Sequence, residues 1–509
     1  MKVRSFFFLR SYLRLFTAIA LFGAVSTKSS IAANKVTLNE ADFRDRIYAC
    51  WLGKNIGGTL GMPFEGKKEM NNISFYTNLK KGEPAANDDL DLQILWLKAM
   101  EDNGGRVDAR ILGEYWLKYV SVDWNEYGVG KANMKLGWLP PLSGEYNNEK
   151  WKHSNGAWIR SEIWACLAPG CPALAARMAR EDACVDHGAA EGTLAEIFTA
   201  SLESAAFLES DREKLIAYGL SMIPEDCRVA KAVHTAVQAK KDGKDWQNAR
   251  LAVIRATEDT GWFQAPRNVA FMIIGWLYGD GDFGKSISTA VNCGDDTDCT
   301  PATLGSLLGI IGGTKAIPAR WREPIGEKIK TVAVAGFPIP EDINALTDRT
   351  LAMTKKVLAL HNAPVEITAA PSDLSGAGSL LVSGPKEARS LWSLSPYRII
   401  WKETDVAVTL DYVSDPVIRP GLQRSIQVTV ENQSGSEKLI RLELQGLPKS
   451  WKIHGLPSGT IKLGKSAAQS FPLTIAAPEL APGLYSMKLS VTGAEKLIIF
   501  PLTFVSPKS

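Results

Sequence analysis

Asp295, Asp296 and Asp298 put three carboxylates into four residues, inside the stretch Asn292-Cys293-Gly294-Asp295-Asp296-Thr297-Asp298-Cys299-Thr300. At neutral pH such groups repel one another, and seating them beside an apolar segment is costly unless a cation or hydrogen-bond donors compensate. The segment that follows places Leu304, Leu307, Leu308 and Ile311 at core spacing, with Gly305 and Gly309 four residues apart to admit a neighbouring backbone. The pattern predicts an acidic turn at the start of a buried helix, its oxygens turned into a cleft. Hard oxygen ligands of this kind suit Mg²⁺, Mn²⁺ or Ca²⁺. Asp and Thr are also ordinary helix caps, so this motif alone does not decide between a capped turn and a metal site.

A second acidic turn, Asn87-Asp88-Asp89-Leu90-Asp91, also opens an apolar helical run, with Leu90, Ile94, Leu97 and Met100 along one face. Two carboxylate turns at the starts of packed helices can converge on one centre in a helical bundle, and the pairing favours metal. Further upstream, Phe43, Ile47 and Trp51 predict a helix over residues 41–52. Gly53, Gly57, Gly58 and Gly61 then predict a turn, closed by Glu65, where the backbone can approach a ligand. Neither pattern of a nucleotide phosphate loop is present.

In order along the chain, the segments Ala49-Cys50-Trp51-Leu52-Gly53 to Gly61-Met62-Pro63-Phe64-Glu65-Gly66, Asn87-Asp88-Asp89 and Gly294-Asp295-Asp296-Thr297-Asp298 resemble the three signature regions of the ADP-ribosylglycohydrolase family. The resemblance extends over roughly residues 40 to 360. It implies an all-α domain that hydrolyses a glycosidic bond with two Mg²⁺, Mn²⁺ or Ca²⁺ being alternatives. The implied metal ligands are Asn87, Asp88, Asp89, Asp296, Asp298 and Cys299. Glu65 is the implied substrate-engaging and catalytic carboxylate, acting with Asp89 and Asp296, and His187 and Gly294 are expected at the substrate. His187 stands beside Asp186 after an Ala-rich helix, where the family carries a histidine; a structural role is the plainer reading of a lone His. Two departures concern the metal. The family has Thr where this chain has Asn87 and Cys299. Asn retains an amide oxygen, whereas sulfur is a poor partner for Mg²⁺, so one site is expected to be weaker, rearranged or occupied by a softer ion.

The rest of the 509-residue sequence frames this chemistry. A net charge of +3 offers no basic patch for nucleic acid. Lys2, Arg4, Arg10 and Arg14 precede a short apolar run, Leu15 to Val25, and small residues at Ser30-Ile31-Ala32, which read as a signal peptide over 1–32; an uncleaved anchor is the alternative. No Cys stands where it would be lipidated, and no later stretch is long enough to span a bilayer. Seven cysteines form no C-x-x-C pair, so zinc is not expected; Cys166 and Cys171 form a disulfide or stay free and buried. Trp124, Tyr127, Trp138, Tyr146, Trp151, Trp158 and Trp164 either line a sugar or nucleobase cleft or build core.

An all-α domain is expected over 38–362, a linker with first strands over 363–400, and an immunoglobulin-like β-sandwich over 401–509, where period-two runs alternate with Pro/Gly turns. These readings describe an exported, metal-dependent glycoside hydrolase acting on an N- or O-linked ribosyl or other furanosyl bond. Its partner would be a small glycoside, a glycan or an ADP-ribosylated substrate, with neither nucleic acid nor a lasting membrane span involved. The competing reading is a non-catalytic sugar or nucleotide-sugar binder with the same metal-lined cleft.

Overall fold

Asn39 starts the first long helix, Glu40–Gly61, by accepting the backbone N–H groups of Ala41 and Asp42. This computed structural model describes residues 35–258 and 261–508, so the expected signal peptide lies outside the described residues. The helix does not stop at Leu52. It continues through Gly53, Gly57, Gly58 and Gly61, where the sequence predicts a turn. The reason is a close approach. A Cβ added to Gly57 would lie 2.1 Å from the Pro301 carbonyl oxygen, and one added to Gly61 would lie 1.6 Å from that of Thr297. From the facing helix, Cys299–Gly312, Gly305 and Gly309 stand equally close to the carbonyls of Gly53 and Ala49. Each helical glycine forgoes about 1 kcal/mol of intrinsic propensity, and packing at backbone contact distance overrides it.

The helix Asp88–Asp102 begins at Asn87, whose Oδ1 accepts the Asp89 N–H at 2.8 Å. Both acidic turns therefore sit at helix starts, as their spacing predicts. Around them the helical domain buries Trp51, Trp96, Trp116, Trp158 and Trp164 together with the Ala-rich helices Pro172–His187 and Glu191–Ala205. Its one regular strand among the described residues, Val36–Asn39, pairs in parallel with Val365–Thr368.

The expected linker, 363–400, is more structured than its Ser/Gly/Pro content suggests. It holds the strand Val365–Thr368, a helix Ala377–Trp392 and the beginning of the strand Arg398–Lys402. The helix is fixed by tertiary contact: Trp392 Nε1 donates to the Met222 carbonyl at 3.0 Å, and Ala388 is buried.

The all-β domain that follows is a sandwich of two antiparallel sheets. One runs in the order Arg398–Lys402, Val406–Asp411, Gln423–Asn432, Ala468–Ala476, Lys452–His454; the other runs Ile498–Ser506, Gly483–Thr492, Lys438–Gln445, Ile461–Leu463. Alternation sets the buried face: Ile426 pairs with Leu473 and Val428 with Phe471 in register, all four inside. Trp138 and Leu142, from the connection inside the helical domain, join this core, and Trp138 Nε1 donates to the Thr503 carbonyl at 3.0 Å.

The seven cysteines are all free, Cys166 and Cys171 included. Among the described residues no helix is long and apolar enough to cross a membrane.

Candidate metal centre

The close pairing of Glu40–Gly61 with Cys299–Gly312 sets where the second acidic turn stands. Asp295 and Gly294 adopt positive φ, 69° and 79°, and swing the chain so that Asp296 and Asp298 face a cavity of about 460 Å³. Glu65, Asp88, Tyr127, Asn155, Asp296 and Asp298 are among the residues lining it. Glu65 reaches it from just beyond the Gly61 end of the first helix, and Asp88 from the first acidic turn. The two turns thus converge, although some two hundred residues of sequence separate them.

Two groups of side chains there bring their ligand atoms within 4.8 Å of one another: Glu65 with Asp296 and Asp298, and Asp89 with Asp298 and Cys299. The first group contains carboxylates only. Asp296 Oδ2 accepts from Asn155 Nδ2 at 2.6 Å, while its buried Oδ1 has no hydrogen-bond partner. Asp88 accepts from the Tyr127 hydroxyl at 2.8 Å.

The second group is differently furnished. Cys299 Sγ lies 3.3 Å from Asp89 Oδ1 and 3.8 Å from Asp298 Oδ1, where the thiol donates to Asp89. Lys54 Nζ stands 3.4 Å from Asp89 Oδ2, a Coulombic contact without hydrogen-bond alignment.

Burial dominates the electrostatics. It pushes the Asp89 and Asp298 carboxyls well above the ordinary range and raises Asp88 and Asp296; neighbouring carboxylates add to the push on Asp89 and Asp298. Glu65, exposed at the rim, is raised to about 7 by desolvation, then by the charges of Asp296 and Asp88. Burial also pushes the Cys299 thiol up, and the carboxylates around it add to that, so it remains a thiol. Desolvation pulls Lys54 down, but Glu162 and Asp89 outweigh it and hold the ammonium above the ordinary lysine value. A cluster of buried carboxylates with raised pKa values, and with Asp296 Oδ1 and Asp89 Oδ2 both lacking a hydrogen-bond donor, fits a hard divalent cation.

Asp89, fully buried, joins the centre through Asp298 and Cys299 without lining the cavity, and three further expected site residues stand elsewhere. Asn87 is buried and does not line the cavity: its amide oxygen caps the helix at Asp89, and its Nδ2 lies against Gly58. Gly294 is spent on the turn and packs against the carbonyls of Lys67 and Glu69. His187 is fully buried behind the cavity wall, with Nδ1 2.9 Å from Asp186 Oδ1 and Nε2 3.2 Å from the Oγ of Ser154, a residue that does line the cavity. Asp186 is in turn gripped by Arg160, so His187 supports the wall and does not meet a ligand directly.

Sequence reasoning missed Lys54, Asn155 and Glu126, the last a buried carboxyl that lines the cavity and stands with Asp186 and His187. The signal for Lys54 was a single charge in an otherwise apolar, glycine-rich helix; for Asn155 it was a short polar run between tryptophans. The aromatic stretch divides three ways: Trp124 and Tyr127 line the cavity, Trp158 and Trp164 build the helical core, and Trp138 serves the sandwich.

The ADP-ribosylglycohydrolase family model matches residues 39–358, the same span that carries both acidic turns and Glu65. The chain belongs to the ADP-ribosylglycohydrolase family. That family is made up of hydrolases known for metal dependence, and in this member two groups of side chains that could hold a metal meet at this cavity, while a third joins Glu126 of the cavity wall to Asp186 and His187 behind it.

No curated protein matches the chain. Among solved structures, an ADP-ribosylglycohydrolase-related protein complex is similar at 21% identity, covering 64% of this chain and 99% of that one, with a TM-score of 0.42. A family 123 glycoside hydrolase from Clostridium perfringens matches at 17% identity over 18% of this chain and 22% of that one, TM-score 0.17. A FixG-related protein from Vibrio parahaemolyticus matches at 17% identity over 17% of this chain and 80% of that one, TM-score 0.15.

Proposed function

We propose that this chain is an exported, divalent-metal-dependent glycosidase that cleaves an N- or O-linked ribosyl or other furanosyl bond. The observation that carries the reading is the convergence of Asp88, Asp296 and Asp298 with Glu65 on one cavity, with a buried Asp296 oxygen left without a donor. A bound divalent cation supplies Lewis acidity for sugar hydroxyls and an activated water.

The chain's own residues supply the rest. The Glu65 carboxyl, raised to about 7, can take a proton from water or return one to a leaving group at neutral pH. Tyr127 holds the Asp88 carboxylate by its hydroxyl, and Asn155 holds Asp296, so both face the cavity in a fixed rotamer. Trp124, exposed at the mouth, and Phe263 offer apolar faces to a sugar or base. Export rests on the basic residues and short apolar run of the first 32 positions. Sequencing the N-terminus of the exported chain should find it beginning near Ala33.

The deciding experiment measures product release by the purified chain with Mg²⁺ and then with chelator, against ADP-ribosylated protein, nucleosides and furanosidic oligosaccharides. Chelator-sensitive release of a ribosyl or furanosyl product is the expected result. Binding of these ligands with no release from any of them would overturn catalysis in favour of a sugar-binding role.

A further inference from the structure

The two ligand groups of the centre are not equivalent. Glu65, Asp296 and Asp298 offer oxygen alone; Asp296 Oδ1 and, in the other group, Asp89 Oδ2 both lack a hydrogen-bond donor, but only Asp89 has an ammonium beside it. Asp89, Asp298 and Cys299 offer a thiol in place of an oxygen and already have a cation beside them. That cation is Lys54. Its Nζ is fully enclosed and fixed from four directions: the Ile159 carbonyl at 2.5 Å, Glu162 Oε1 at 2.7 Å, Thr303 Oγ1 at 3.0 Å, and Asp89 Oδ2 at 3.4 Å. The ammonium cannot swing aside. Its helix is locked backbone to backbone on the helix that carries Thr303, with Gly53 against Gly305. Glu162 is held in turn by Gln93, whose Nε2 donates to its other oxygen at 2.9 Å.

A divalent ion on Asp89 would therefore meet a fixed like charge in a water-poor interior, and its third ligand atom would be a sulfur that hard cations bind poorly. We propose that this centre holds a single divalent cation, on Asp296 and Asp298 with Asp88 adjoining and Glu65 left free at the rim, and that the Lys54 ammonium is the permanent positive charge serving Asp89. The proposal rests on the metal-dependent reading above, and it replaces the two-ion expectation that the family resemblance implies.

Manganese is the probe, because it reports number and proximity independently of turnover. The purified chain is loaded with excess Mn²⁺ and freed of unbound ion. It is then assayed for metal per chain and examined by electron paramagnetic resonance. One Mn²⁺ per chain with the spectrum of an isolated ion is the expected result. Two per chain with exchange-coupled spectra would overturn the single-cation proposal and leave metal dependence standing, whereas none bound would overturn both. Location is tested with two variants of the full chain, each first checked for a native-like thermal transition. Asp296→Asn should lose the ion, and Asp89→Asn should keep one Mn²⁺ with affinity within several-fold of the parent. Loss of the ion in Asp89→Asn, with Asp296→Asn retaining it, would assign the cation to the wrong side of the centre and refute the proposal.

Discussion

The two acidic turns resemble each other in sequence, each placing carboxylates at the start of an apolar helix, yet the protein neutralises them differently. Around Asn87 to Asp91 it supplies compensation from within. Asn87 caps Asp89, Lys54 stands at Asp89, and Asp91 accepts the backbone N–H groups of Val332 and Ala333, both at 2.6 Å. Around Asp295 to Asp298 only part is supplied. Arg267 lies 3.6 Å from Asp295, the Phe263 N–H donates to Asp295 at 3.2 Å and Asn155 donates to Asp296, while Asp298 is met by the weak Cys299 thiol. A carboxylate cluster on its own therefore says little. What separates a structural cluster from a metal-binding one is whether the surrounding chain has already spent cations and donors on it.

The contrast can be broken in order of expected effect. Asp296→Asn removes a carboxylate from the turn that the protein's own charges and donors compensate only in part; it should lower turnover by about 100-fold or more and abolish metal binding, read by steady-state kinetics and calorimetric titration. Lys54→Met attacks the compensated turn instead. It leaves Glu162 and Asp89 buried without their cation and should cost about 3–5 kcal/mol in chemical denaturation, an effect on stability that added metal does not restore.

A third test uses pH. Burial outweighs the two backbone N–H donors and raises Asp91 to about 7, against roughly 3.9 for an unfolded Asp. The native state then holds a proton that the unfolded chain has released, so Asp91 costs stability progressively from about pH 4 to pH 7 and nothing further above. His153, pulled down to about 4 by burial, acts in the opposite direction below pH 6.5. The informative quantity is accordingly the difference between parent and Asp91→Asn. Relative to the variant, the parent should lose stability between about pH 4 and about pH 7, by up to about 1.4 kcal/mol per pH unit, and no more above that, in denaturant titrations at each pH. The smallest effect should come from Tyr127→Phe, which removes the donor to Asp88. A loss of about 1.5 kcal/mol in transition-state stabilisation, seen in kcat/KM, is expected.

Much of the architecture was legible because it is written locally. Charge clusters at helix starts, period-two runs after residue 400, and paired Gly305 and Gly309 each report their own environment within a few residues. The failures share one cause, which is dependence on distant partners. Gly53, Gly57 and Gly61 predict a turn by propensity, and only the facing backbone of 297–305, more than two hundred residues away, makes them helical. The Ser- and Gly-bearing helix Ala377–Trp392 is likewise fixed by its seat against Met222 and Tyr218. His187 has the residue type of a ligand-facing group, but Arg160 draws its neighbour Asp186 inward and the imidazole follows. Lys54 was invisible as chemistry because its partners come from 159, 162 and 303.

Trp138 and Leu142 sit in the hydrophobic interior of the C-terminal sandwich while belonging to the connection that also carries Tyr127 and Asn155. The catalytic unit consequently has no clean cut point at its C-terminal edge. Trimming the chain near residue 400 to make a minimal enzyme would strand an indole and an isobutyl group in solvent and slacken the segment that aims the Asp88 and Asp296 carboxylates. Swapping in a foreign C-terminal module would meet the same demand: the newcomer would have to offer a slot for that indole and an acceptor for its N–H, as Thr503 does.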